Sequence, residues 1–131
     1  MSKAILEQYY KAFNEKNFEG MLSLLSNDVI HEINEGETQI GVDAFRTFLK
    51  GMDTYYDETA INLVLMTNDD NNRGSAEFRI QGTYKVTCQG LPPARGQKYD
   101  LPVGAFFEFK NGKITRVTNY YNLNLWLKLV K

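Results

Sequence analysis

The stretch Ala105-Phe106-Phe107-Glu108-Phe109-Lys110-Asn111-Gly112-Lys113-Ile114-Thr115-Arg116-Val117-Thr118-Asn119-Tyr120-Tyr121 carries two runs rich in aromatic and β-branched residues on either side of Asn-Gly. That pair takes the backbone angles of a tight hairpin at little cost, so the stretch predicts two antiparallel strands. Loop length decides which side chains share a face, because a slip of one residue reverses every position. A three-residue loop with Gly112 in the left-handed region brings Val103, Ala105, Phe107, Val117, Asn119 and Tyr121 together and turns Phe106, Arg116 and Tyr120 outward. This register is preferred to that of a two-residue loop because it gathers small and polar positions on one side, as a pocket requires.

Upstream, Arg73 to Cys88 alternates, with Ala76, Phe78, Ile80, Tyr84 and Val86 on one face. Gly82 falls on the same face without a side chain, which marks a bend or a close approach. Ala60 to Thr67 is a further apolar run, joined to it by a turn at Asp69 to Gly74. Strands of this length predict a curved antiparallel sheet. Towards the start, Ile5, Tyr9 and Phe13 recur every four residues with Leu6 and Ala12 beside them, the stripe of a helix from Lys3 to about Lys16 with Ser2 as its cap. Asn17 caps a shorter helix whose Met21, Leu22, Leu24 and Leu25 face inward and which ends near Ser26 to Asp28. Asp28 to Glu35 alternates as a strand, with Val29, His31 and Ile33 on one side. Gly36 to Gly41 reads as a loop. Phe45, Phe48, Leu49 and Met52 then form a third amphipathic helix, placed to lie over the sheet as a lid. Gln89 to Gln97, with Pro92-Pro93, is a loop at the rim of the sheet. The tail from Leu123 satisfies both strand and helix spacing, and Asn122 as a cap favours the helix.

A chain of 131 residues forms one domain, residues 1–131, and buries roughly two thirds of its unfolded surface without metal or disulfide support. Its net charge of −1 is not gathered into any basic strip, so nucleic acid is not expected as a partner. No apolar run approaches the ~20 residues of a membrane span, so no membrane partner is expected. The single cysteine, Cys88, can form no internal disulfide and fits a reducing, cytoplasmic location. With one histidine a histidine-rich metal site is excluded, and no metal or cofactor is expected.

The order helix, helix, strand, helix, then long antiparallel strands resembles the nuclear transport factor two-like superfamily, also known for the ketosteroid isomerase or polyketide cyclase-like fold. The resemblance covers nearly the whole chain. Locally, Tyr9-Tyr10-Lys11-Ala12-Phe13-Asn14, Gly41-Val42-Asp43-Ala44-Phe45, Gly90-Leu91-Pro92-Pro93-Ala94-Arg95-Gly96 and Arg116-Val117-Thr118-Asn119-Tyr120-Tyr121-Asn122-Leu123 resemble bacterial proteins called ketosteroid isomerase-related. The resemblance implies an α+β fold in which a cone-shaped, curved antiparallel sheet and three N-terminal helices enclose a pocket. It also implies a homodimer paired through the outer sheet face, where Phe106 and Tyr120 lie. Members of the fold differ widely in activity, so the residues must decide it. The family's hydrogen-bonding tyrosine falls on Tyr9. Its catalytic base falls on Ile33 or Asn34, and its protonated acid on Ala105, none of which can replace a carboxylic acid. The cyclases' acid on the last strand falls on Asn119, and the two aspartates and arginine of the epoxide hydrolases find no inward positions. A true steroid isomerase is therefore not expected.

His31 has the only side chain with an ordinary pKa near neutrality, and is the candidate general base. Tyr9, Tyr84 and Tyr121 are candidate hydrogen-bond donors to a carbonyl or oxyanion, with core packing the favoured reading of Tyr84 and a pocket that of Tyr9 and Tyr121. Asn119, an amide on a central strand, needs partners, and a ligand is one. Phe13, Ile33, Phe48, Ala105 and Phe107 complete the expected apolar wall. The expected function is binding of a small, largely apolar ligand with a carbonyl or hydroxyl group, with isomerase-like or cyclase-like proton transfer. The alternative is a non-catalytic binding or dimeric assembly module whose pocket is vestigial, closed by Phe13, Phe45, Phe48 and Phe107.

Overall fold

The hairpin that decides the fold forms at the expected place. In the computed structural model, which describes residues 1–131, β5 (Lys98–Lys110) pairs with β6 (Lys113–Tyr121), and Lys110 lies opposite Lys113. The loop is thus two residues, with Asn111 at φ 54° and Gly112 at φ 76°, rather than the three-residue loop read from the sequence. Even so, Val103 faces Tyr121, Ala105 faces Asn119 and Phe107 faces Val117, as that longer loop required. A bulge reconciles the two: the register shifts between Glu108 and Phe109, leaving Thr115 as the extra residue. One residue moved from loop to strand gives the same faces.

Six strands make one sheet in the order β2-β1-β6-β5-β4-β3. They are β1 (Leu25–Glu32), β2 (Thr38–Ile40), β3 (Tyr56–Thr67), β4 (Arg73–Tyr84) and the two of the hairpin. Four of the pairings are antiparallel, and β1 runs parallel to β6. The loop expected at Gly36 to Gly41 contains β2, an edge strand that shows no apolar alternation and is held by backbone pairing to Ile30, His31 and Glu32. β4 ends at Tyr84, earlier than the alternation suggested, and Val86 is exposed.

The first and third helices lie where the apolar stripes placed them, but the second stops at Leu22 instead of running to about Ser26, and Leu25 already opens β1, three residues before the expected strand start at Asp28. α1 (Ser2–Asn14) buries Leu6, Tyr9, Tyr10 and Ala12. Ser2 is not its cap: the hydroxyl instead donates to the Asn71 carbonyl at 2.6 Å, tying the helix start to the β3–β4 turn. α2 (Phe18–Leu22) is capped by Asn17, whose side chain accepts from the Gly20 amide. α3 (Val42–Tyr55) presses Phe45 and Leu49 into the core. The tail resolves as α4 (Leu123–Leu129), with Asn122 accepting from the Leu125 amide; Trp126 is buried against Tyr84 with ring centres 5.2 Å apart. No helix is long and apolar enough to cross a membrane.

Between the concave face of the sheet and α1, α3 and α4 the packing is incomplete. β4 and β5 supply Phe78, Ile80, Leu101 and Val103, α1 supplies Tyr9, Tyr10 and Phe13, and α3 supplies Phe45, Phe48 and Met52 around a cavity. A sheet this curved is not filled by one layer of helices, and what remains is a cleft open at one side.

Candidate functional site

The cavity measures about 230 Å³, somewhat more than the ~150 Å³ void known to take up benzene. Twenty of its 26 lining residues are hydrophobic, so the few polar groups on its wall define what it can recognise.

His31 is one of them. The alternation of β1 turns it inward beside Val29, leaving it 2% exposed. Its ring stacks on Phe45 at 4.3 Å between centres and meets the edge of Phe48 at 4.7 Å. These aromatic neighbours give it no hydrogen bond, and Nδ1 is buried without a partner. Burial disfavours the charged form and lowers the imidazole from its ordinary 6.5 to about 4. The ring is therefore neutral at physiological pH and a weaker base than its type suggests.

Asn34, just beyond β1, shares this wall. Its Oδ1 accepts from the Tyr121 amide at 3.1 Å, and its side-chain amide also acts on the Tyr121 phenol. From β6, Asn119 and Tyr121 reach the same cavity, and burial raises the Tyr121 phenol above its usual range. Tyr9 arrives from α1 with its ring edge-on to Tyr10 and Phe107. Burial alone acts on its hydroxyl and pushes the pKa well up, so this group stays protonated as a donor.

Of the other residues read from the sequence, Phe13, Ile33 and Phe48 line the cavity. Tyr84, Ala105 and Phe107 do not. Tyr84 is fully buried, with its hydroxyl donating to the Pro92 carbonyl at 2.6 Å and accepting from the Cys88 amide at 3.0 Å. With its hydroxyl both donating and accepting within the protein, it secures the rim loop. Ala105 and Phe107 pack in the core beneath the wall; the Phe107 ring lies between Tyr9 and Phe109.

A carboxyl group absent from the sequence-based set also lines the cavity. Glu58, on β3, accepts a hydrogen bond at Oε2 from the Tyr99 hydroxyl at 2.6 Å. Burial raises its pKa above the ordinary value, against the lowering effects of Tyr99 and Lys16. In the sequence the apolar run starts at Ala60, which hides Glu58 between Asp57 and Thr59. Its phase was the available signal, since Glu58 lies two residues before the inward Ala60.

Across residues 6–117 the chain matches the SnoaL-like domain. The chain belongs to the SnoaL-like family. This agrees with the superfamily that its sequence resembles. Among solved structures, this SnoaL-like chain is similar to a candidate polyketide cyclase from Pseudomonas putida, with 46% identity and a TM-score of 0.99 over 100% of this chain and 98% of that one. A second candidate polyketide cyclase, from Xanthomonas campestris, shares 44% identity with a TM-score of 0.97 over 99% and 96% of the two chains. A third, from Silicibacter, shares 42% at a TM-score of 0.97 over 99% and 95%. No match was found among curated proteins.

Proposed function

We propose that the cavity binds a small, largely apolar ligand carrying a carbonyl or hydroxyl group, oriented by His31, Tyr9, Asn119 and Tyr121, and that isomerase-like or cyclase-like proton transfer is its chemistry. The observation that carries this reading is the unpaired buried Nδ1 of His31, on a residue lining a mostly apolar cavity. Buried polar atoms in native proteins nearly always have partners, so an orphaned imidazole nitrogen beside a cavity calls for one. The likeness to candidate polyketide cyclases supports the same reading, since a polyketide is by its name rich in carbonyl groups. A volume near 230 Å³ suits a ligand of about two fused rings.

The test uses 2-naphthol, a two-ring phenol, titrated against the protein and followed by fluorescence. His31→Gln and Asn119→Leu are each expected to weaken binding about tenfold or more, the worth of one lost buried hydrogen bond, with unchanged circular dichroism. Affinities equal to that of the unsubstituted protein in both variants would remove the site assignment.

Pairing of two copies through the outer sheet face belongs to the same reading. On that face Val64, Met66, Phe106 and Tyr120 are all exposed: Met66 pairs with Ser75, which pairs with Phe106, and in the next row Val64 pairs with Glu77, Glu77 with Gly104 and Gly104 with Tyr120. Phe106 and Tyr120 meet edge-on at 5.9 Å. Exposed large apolar side chains gathered on one sheet face and rimmed by polar residues mark an interaction surface. Light scattering should give twice the monomer mass of 15.1 kDa, and Phe106→Glu should halve it; a monomeric unsubstituted chain refutes the pairing.

A further inference from the structure

Three adjacent strands place Glu58, Gly82 and Tyr99 in one row, for Glu58 pairs with Gly82 and Gly82 pairs with Tyr99. Normally a side chain on the middle strand would separate the outer two. Here the middle position is glycine, and the Tyr99 ring crosses directly over it: a Cβ added at Gly82 would lie 2.4 Å from Tyr99 Cζ. The missing side chain is what lets the Tyr99 hydroxyl reach Glu58 Oε2.

The backbone that carries Glu58 is held as firmly. Lys16 donates through Nζ to the Glu58 carbonyl and pairs with the Asp57 carboxylate at 3.2 Å. Two residues on, Asn14 brackets Ala60, donating to its carbonyl at 3.0 Å and accepting from its amide at 2.8 Å. The end of α1 thus clamps β3 on both sides of the carboxyl group. Such support for one acid on an apolar wall has no packing purpose that a leucine would not serve better.

We infer that Glu58, positioned by Tyr99 across Gly82, is the catalytic residue that takes and returns the proton of the cavity's ligand. The inference rests on the cavity being a ligand site, as proposed above. For a ligand with a carbonyl group, the Glu58 carboxylate accepts a proton from the adjacent carbon. The C–H bond breaks and its electron pair moves into the carbonyl to leave an enolate. The proton now on Glu58 then returns to carbon, at the same atom or at another in conjugation. Nothing else is consumed. Burial tunes the two titratable groups of the wall in opposite senses, making His31 less basic and Glu58 more so; the carboxylate thereby becomes the better proton acceptor. His31 is left as a neutral hydrogen-bonding partner.

The charged and titratable groups around Glu58 are Tyr99 from β5, Lys16 from the segment after α1, Asp57 beside it on β3, and Tyr121 from β6; Asp53 of α3 lines the same cavity. Of these, Tyr99 and Lys16 favour the carboxylate and Asp57 opposes it. Removing the Tyr99 hydroxyl should therefore raise the Glu58 midpoint further.

2-Tetralone, a two-ring ketone, is the probe. Its binding is followed by ligand NMR, and exchange of its α-hydrogens for deuterium in heavy water is followed in the same tube across a range of pH. The unsubstituted protein should accelerate exchange, with a rate that rises through a midpoint above the ordinary glutamate value. Glu58→Gln, which preserves shape, should lose about a hundredfold or more of that acceleration while still binding the ketone. Tyr99→Phe should keep exchange but move the midpoint upward, a displacement that a merely structural role would not produce. Binding without acceleration by the unsubstituted protein, or equal exchange by Glu58→Gln, overturns the role of Glu58 and leaves the cavity reading standing. No binding of either 2-tetralone or 2-naphthol overturns both.

Discussion

Acidification from pH 7 to pH 4 is expected to cost this protein roughly 3 kcal/mol more folding stability than it costs a His31→Gln variant. In the folded chain the imidazole is held near 4 by burial between Phe45 and Phe48, whereas in the unfolded chain it titrates at its ordinary 6.5. Below 6.5 the unfolded chain therefore binds a proton that the folded chain refuses. Stability from this residue is complete above 6.5 and drains away as the pH falls to 4, where the separation of the two pKa values amounts to roughly 3 kcal/mol. Glu58 acts in the opposite sense. Its raised pKa favours the folded chain at low pH, and that contribution is lost as the pH climbs through and above 4.5. Comparison of the parent and variant cancels Glu58 and every other shared carboxylate. Urea unfolding at pH 7 and pH 4 for both proteins measures the difference, and equal pH dependence would mean that the imidazole is hydrated in the folded state.

That residue also shows how far the sequence could be read. Strand phase alone placed His31 inward beside Val29, and the structure agrees; what phase cannot supply is the company the ring keeps. Phe45 and Phe48 come from α3, some fifteen residues along, and their contact lowers the basicity that made His31 the obvious base. The hairpin faces were legible for a similar reason, because Val103, Ala105 and Phe107 must share a side whatever the turn. Whether the extra residue sits in the loop or as a bulge at Thr115 is a local choice with no signature in composition. β2 was invisible because three residues with one half-buried side chain carry no period. Tyr84 was placed among possible ligand contacts because its inward phase was read correctly, and nothing in the sequence disclosed that the Pro92 carbonyl and Cys88 amide would saturate its hydroxyl. Arg95 is a smaller case: it orders the rim by reaching the Val130 carbonyl of the C-terminal segment at 3.5 Å, a partner 35 residues away that no local pattern foretells.

Gly82→Ala is expected to destabilise the fold by about 3 kcal/mol, far beyond the effect of most glycine replacements in strands. No positive φ is involved, so alanine's backbone preferences favour the change. The penalty is steric and lies in one contact. The new methyl group would sit 2.4 Å from Tyr99 Cζ and 2.5 Å from its hydroxyl oxygen, and one of the two must leave. Tyr99 cannot turn aside freely, because Trp126 flanks its ring at 6.0 Å between centres and Glu58 holds its hydroxyl. Overpacking of this kind costs ~1–3 kcal/mol, and release of the Glu58 hydrogen bond adds ~1–2 kcal/mol by leaving a carboxyl group unpaired on an apolar wall. Tyr99→Leu by itself removes the ring and the hydrogen bond and should also destabilise. In the double variant, however, the alanine methyl occupies space that the ring has vacated, so the two losses should fall short of their sum by more than about 1 kcal/mol. Urea unfolding of the four proteins closes the cycle. Additive losses, or a Gly82→Ala protein within about 0.5 kcal/mol of the parent, would show that Tyr99 does not cross the glycine, and would remove the geometric basis for its hold on Glu58.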